Sequence, residues 1–186
     1  MTEPKLIAFT GLKGSGKTTA AQALIVRGFV PVRFAEPLKE MLVAMYVVAG
    51  LSQEAIERRM NGDLKEAPCA LLLGKTPRYA MQTLGTEWGR DLIHEHLWLA
   101  LWERRVKQYM KQGFDVVCDD CRFDNEAEAV QMLGGYVGLV DRGLENDDAH
   151  SSEKITTRWD FPLENTGTDT EFRRRVIDVV EKEDFG

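Results

Sequence analysis

Residues 6–26 read "LIAFTGLKGSGKTTAAQALIV". A short apolar run, then a glycine-rich loop, then an alanine-rich run: the order predicts a buried strand over 5–10 and a helix from Lys17 to about Arg27, stopped by Gly28. Between them, Gly11, Gly16, Lys17 and Thr18 match G-x-x-x-x-G-K-[ST] in full. The glycines let the backbone turn several N–H groups toward one phosphate, and the helix behind adds its positive end. Lys17 suits the β- and γ-phosphates of a bound ATP, and the Thr18 hydroxyl suits Mg2+. Lys13, Gly14, Ser15 and Thr19 complete the loop. Such a loop grips a nucleoside triphosphate. It does not say whether the terminal phosphate goes to water, to a protein or to a small molecule.

Working outward, "FVPVRFA" reads as a second extended segment and "EPLKEMLVAMYVVAG" as a helix with Pro37 in its first turn. "SQEAIERRM" reads as a short helix capped by Ser52, and 61–75 as a loop. Two helices follow, "TPRYAMQTLGTEWGRDL" and "EHLWLALWERRVKQYMKQG". "FDVVCD" (114–119) and "YVGLVD" (136–141) read as strands around the helix "DNEAEAVQMLGG". A polar flap over 142–160 and a closing helix, "TDTEFRRRVIDVVEKE", end the chain. Strands alternating with helices predict an α/β fold with a mostly parallel sheet.

The bulk numbers agree with one domain. The chain has 186 residues, 44% of them hydrophobic, enough for a sizeable core. With 24 basic and 30 acidic residues the net charge is -6, which argues against a nucleic-acid partner. No long uncharged apolar run suggests a membrane span, and "MTEPKLIAFTGLKG" lacks the pattern of a signal peptide, so a cytoplasmic location is expected. Cys118 and Cys121 form a lone CxxC with no second pair to complete a zinc site, and Cys118 reads as a small buried hydrophobe.

The metal-side carboxylate should follow a strand, and "FDVVCDD" supplies Asp119 and Asp120. Arg122, two residues past Asp120, and Arg142, at the start of the flap, are candidates for neutralising a transferring phosphoryl group. In 76–92, Met81, Leu84, Trp88 and Leu92 form one apolar stripe at helical spacing, and Arg78, Gln82, Gly85 and Gly89 form another. Glycine costs about 1 kcal/mol inside a helix, so two on a polar face imply that something comes close to the backbone. Arg78 can grip a phosphate with two parallel bonds, Gln82 can pair with a base edge, and Arg90 is a second phosphate candidate. A phosphate-accepting small molecule is one reading. A switch or hydrolase acting through a protein partner is another. A third has "LWLALWERRV" docking a partner, against the plainer account that Trp98 and Trp102, on one helical face, pack in a core or a dimer seam.

With those residues in hand, the chain resembles the phage-type deoxynucleoside monophosphate kinases. The matching pieces are "FAEPLKEML", "GKTPRYAMQTLGTEWGRDLI", "DDCRFDNEAEA", "HSSE" and "FPLENTGT", in the family's order over most of the chain. The family pattern D-x-R-F-x-N-E aligns Asp120, Arg122, Phe123, Asn125 and Glu126, which favours Asp120 over Asp119 as the metal-side carboxylate. The resemblance implies a P-loop kinase fold. Its parallel core would cover about 1–35, 112–141 and 160–186, its helical monophosphate-binding part about 36–111, and its lid about 142–159. It implies transfer from ATP, with Mg2+, to a deoxynucleoside monophosphate, and often a homodimer. It places Lys39, Arg78, Gln82, Gly85, Trp88 and Arg90 at the monophosphate, and Asn165 and Gly167, after the last strand, at adenine. His150, Ser152 and Glu153 match a lid motif of unassigned role. Parts of the pattern recur in animal-type phosphomevalonate kinases and, more loosely, in dephospho-coenzyme A kinases, so the acceptor is less determined than the reaction.

Overall fold

The computed structural model describes residues 3–143 and 158–182. His150, Ser152, Glu153 and most of the expected lid lie outside them. The chain divides into two compact units, residues 1–34 with 102–186, and residues 35–101.

The first unit is built on a five-stranded sheet: β1 (Leu6–Thr10), β2 (Val30–Pro31), β3 (Val116–Cys118), β4 (Tyr136–Asp141) and β5 (Phe161–Glu164). Their order is β2-β3-β1-β4-β5, and every neighbouring pair is parallel. Strand β1 is central and buried on both faces, which is why its sequence is continuously apolar and does not alternate. Helices α1 (Lys17–Ile25) and α7 (Asp169–Glu181) pack together, and Leu24, Phe172 and Val176 join Phe9, Val117 and Leu163 of the sheet in one core. Helix α6 (Asp124–Met132) starts at the carboxylate of Glu126, which accepts from the N–H groups of Arg122 (2.8 Å) and Phe123 (3.2 Å). Helix α7 has a full capping box: Thr168 accepts from the Glu171 N–H, and Glu171 from the Thr168 N–H.

The "FVPVRFA" segment forms only a two-residue ladder strand, although Val32 N–H still donates to the Val117 carbonyl at 2.9 Å. Arg33 then turns its guanidinium to Asp119, and Phe34 N–H donates to Asp120. These bonds link the chain just past the two strands, and β3 is shorter than the 114–119 expected. Strand β5 alternates, with Phe161 and Leu163 buried and Pro162 and Glu164 exposed, and Pro162 is tolerated because β5 is an edge strand.

The second unit is helical: α2 (Glu36–Val48), α3 (Gln53–Met60), α4 (Pro77–Thr83) and a π-helix over Leu84–Ile93. Its core gathers Leu42, Tyr46, Ile56, Met60, Cys69 and Met81. Ser52 caps α3 as expected, and Thr76 caps α4 ahead of Pro77. The regular helix expected through 92 does not hold. At the junction the Thr83 hydroxyl donates back to the carbonyls of Tyr79 and Ala80, and the ladder then widens to i→i+5 bonds, as in His94 N–H to the Gly89 carbonyl at 3.0 Å. The wider turn dissolves the expected apolar stripe: Met81 is buried, but Trp88 and Leu92 are exposed.

Helix α5 (Leu97–Lys111) runs on into the first unit from Trp102. Residues 102–111, expected with the helical part, group with the sheet instead. The cause is Trp102: it is fully buried, stacks on Phe34 at 4.2 Å between ring centroids, and donates to the Val32 carbonyl at 3.1 Å. Trp98 is also buried, so both indoles pack inside, as the plainer account of "LWLALWERRV" has it. Trp102→Phe leaves the buried Val32 carbonyl unsatisfied and a void beside Phe34. A loss of about 3 kcal/mol in urea-unfolding stability is expected.

Candidate active site

Register decides which loops meet. Ala8 of β1 lies beside Cys118 of β3, and Thr10 beside Leu139 of β4. Asp141 of β4 lies beside Glu164 of β5. With all strands parallel, the loop after β1, the aspartates after β3, Arg142 after β4 and Asn165 after β5 leave the sheet at one edge. That carboxyl edge is where ligands bind in open parallel sheets.

The loop is closed on itself. Gly11 and Gly16 have φ of 140° and 109°, and a Cβ at either would lie 2.3 Å from a neighbour, the Val140 carbonyl oxygen or Asn165 Nδ2. Only glycine meets both demands. The Lys17 ammonium donates to the carbonyls of Gly11 and Leu12, each at 2.8 Å. Asn165 ties the loop to the far strand: its amide donates to the Ser15 carbonyl at 2.6 Å, and its N–H to the Asp141 carbonyl at 2.6 Å.

Around the loop lies an open cleft of about 340 Å³. Gly14, Gly16, Lys17, Thr18 and Thr19 line one side of it. Arg142, Asn165 and Gly167 line it too, so residues separated by more than 120 positions share one surface. Asp169 also lines the cleft, held by Arg173 at 2.6 Å, and sequence reasoning did not single it out. Gly11 and Ser15 sit behind this surface, with Ser15 buried, and Lys13 is exposed beyond it.

The two aspartates separate by their partners. Asp119 is nearly buried and grips Arg33 with both oxygens, at 2.5 and 3.3 Å. Neither this pair nor Arg33 was anticipated. Asp120 accepts from Phe34 N–H at 3.0 Å and from the Cys118 thiol at 3.1 Å, through the same oxygen. Arg122 is exposed at the head of α6 and is not among the residues lining the cleft. Burial pushes the thiols of Cys118 and Cys121 well above the usual range, and the charges of Asp120 and Glu126 add to it. Among the described residues no cluster of three or more His, Cys, Asp or Glu could hold a metal ion. A hydroxyl from Thr18 and one carboxylate, completed by water and phosphate oxygens, is the donor set that suits Mg2+.

In the second unit, the expected monophosphate residues fall on α2, α4 and the π-helix. The Lys39 ammonium donates to Asn61 at 3.0 Å, and Asn61 is held in turn by Glu57 at 2.9 Å. The Arg78 guanidinium pairs with Glu66, and the Arg78 backbone N–H donates to the Lys65 carbonyl at 3.0 Å. Both cations thus lean on the loop after α3. Gln82 and Trp88 are exposed, and Arg90 is half-buried. Of the two glycines, Gly89 meets a close approach, and its source is internal: the Trp98 ring lies against Gly89, while its indole N–H donates to the Gly85 carbonyl at 2.7 Å.

No family model matches the sequence. A protein of Acanthamoeba polyphaga mimivirus, named a putative deoxynucleotide monophosphate kinase, is 37% identical over 191 residues, covering 95% of this chain and 96% of the relative. The deoxynucleoside-5'-monophosphate kinase of Escherichia phage T5 is 42% identical over 91 residues, 48% of this chain and 34% of the relative. Among solved structures, TT1252 from Thermus thermophilus covers all of both chains with a TM-score of 0.57 at 20% identity. A dephospho-CoA kinase from Campylobacter jejuni aligns over 97% of this chain and 98% of its own with a TM-score of 0.52 at 14% identity, and both likenesses concern the fold. Among the described residues, no helix is long and apolar enough to cross a membrane. With more than a third of residues identical across nearly the whole of both chains, the protein belongs to the deoxynucleoside monophosphate kinase family.

Proposed function

We propose that the chain transfers the terminal phosphoryl group of ATP to a deoxynucleoside monophosphate, giving ADP and a deoxynucleoside diphosphate. The observation that carries the reading is the cleft itself: a closed phosphate loop with Lys17 and Thr18 facing Arg142 and Asn165, in a chain of this family.

The acceptor is already a phosphate anion and needs no strong general base. What the protein must supply is position and positive charge. Lys17 exchanges its two loop carbonyls for the β- and γ-phosphates, and the loop's N–H groups hold the remaining oxygens. Thr18 and Asp120 would hold Mg2+, which when bound screens the charge on the phosphate oxygens. Arg122 and Arg142 neutralise the group in flight. Asn165 and Gly167 border the adenine. On the acceptor side Arg78, Lys39 and Arg90 hold the monophosphate, Gln82 meets the base edge, and Gly85 and Trp88 border the nucleoside. The Arg78–Glu66 pair is exposed on both sides, so exchanging it for a doubly charged phosphate costs little.

The decisive experiment measures ADP formation from ATP and Mg2+ with each of the four deoxynucleoside monophosphates, AMP, phosphomevalonate, dephospho-coenzyme A or no acceptor. Turnover that requires a deoxynucleotide is expected. Turnover without any acceptor would assign the phosphate to water and overturn the reading. Lys17→Ala is expected to cut the rate at least a hundredfold while the protein stays folded by circular dichroism. Arg78→Ala separates the two substrates: the acceptor KM should rise about tenfold to a hundredfold with the Kd for ATP unchanged. Loss of ATP binding instead would move Arg78 to the other substrate.

A further inference from the structure

We propose that Trp98 is a positioning residue for the acceptor: its indole holds the π-helix in register and so fixes where Trp88 and Arg90 point. The inference rests on the acceptor assignment made above for those two side chains.

The contacts come in a set. Trp98 is only 4% exposed, and its Nε1–H donates to the Gly85 carbonyl at 2.7 Å. One turn on, the ring occupies the space that a side chain at position 89 would need. A Cβ there would lie 2.4 Å from Cζ2 and 2.5 Å from both Cε2 and Nε1. Gly89 is the buried residue of the π-helix. The Trp88 ring stands 6.1 Å from the Trp98 ring, tilted by 43°. One indole therefore touches the backbone of Gly85 and Gly89 and borders the side chain of Trp88.

A π-helix is a rare, poorly self-supporting form that needs a tertiary hold. Restoring the α register over this segment means rotating the following residues by about 100° per residue displaced. Trp88 and Arg90 would then both be turned from their present directions. The indole opposes that slip twice, because its N–H needs the carbonyl of Gly85 while its ring needs the bare backbone of Gly89. Gly89 and Trp98 thus form one device, in which 89 supplies access and 98, through the Gly85 carbonyl, supplies the hold. Trp98 itself, being buried, need not touch substrate.

The test removes the N–H and keeps the ring. Trp98 is replaced by 3-benzothienylalanine, which puts sulfur in place of the N–H, with Trp98→Phe as the genetically encoded companion. For the isosteric protein a urea midpoint close to wild type is expected, so folding does not obscure the result. Its acceptor KM should rise about fivefold or more, with KM for ATP within twofold of wild type. Amide exchange over 89–94 should accelerate by a similar factor, which reads the register without turnover. An isosteric protein with wild-type acceptor KM, or with both KM values raised alike, overturns the proposal. A wild-type protein that turns over no deoxynucleotide overturns the acceptor reading instead, and this inference falls with it. A wild type that is active beside an unchanged isosteric variant overturns the positioning role alone.

Discussion

The parallel pairing of β1 with β3 on one side and β4 on the other is the constraint on which everything else depends. An antiparallel neighbour would send its loop to the opposite edge. Because each strand runs the same way, four connections open at a single edge, and the polar chemistry of the first unit follows from that alone. Fixing the register at Ala8 beside Cys118 puts Asp120 about level with Thr10, at the mouth of the phosphate loop. A slip of one residue would exchange the faces of Asp119 and Asp120. Leu6, Ile7, Ala8 and Phe9 are all fully buried, so β1 holds the centre of the sheet.

The loop in turn depends on its neighbours. Its glycines are demanded by β4 and by Asn165, not merely by the turn. Its last carbonyl before Gly16 is held by an amide 150 residues away in sequence. The loop therefore arrives at its ligand with its N–H groups already aimed, which is the condition under which backbone dipoles stabilise charge without reorganising. Arg33 does comparable service at the aspartate pair, gripping Asp119 through both of its oxygens.

Much of this was legible in the residues. The strand–loop–helix over 6–26 is local, and each of its parts carries its own signal. The α/β class follows from the alternation, and both Ser52 and Pro37 stand where their chemistry requires. What escaped was set by distant partners. The π-helix looks like an ordinary helix in sequence, because its cause is an indole nine residues beyond Gly89 and a hydroxyl at Thr83. Asp169 reads as a helix-start acid until β5 brings it to the cleft. The bonds between 33–34 and 119–120, just past the ends of β2 and β3, are invisible to any window of sequence. The tryptophan pair 98 and 102 announced burial, but not that one would serve each unit.

An acidic chain that handles two anionic nucleotides has to keep its cations in place without neutralising them. The cations of the proposed sites whose bonds are described are tethered to groups that release them cheaply. Lys17 rests on two loop carbonyls, Lys39 on an amide oxygen, and Arg78 on an exposed carboxylate. Long basic side chains lose about 2 kcal/mol of rotamer entropy when immobilised. Tethering moves that loss from the binding step to folding, where the core absorbs it. The tethers are weak because they are exposed or uncharged, so a phosphate with charge-assisted bonds displaces them. The net charge of -6 is then no obstacle to binding. The acidic and amide side chains beside the basic ones act as holders that point a small number of cations at two sites.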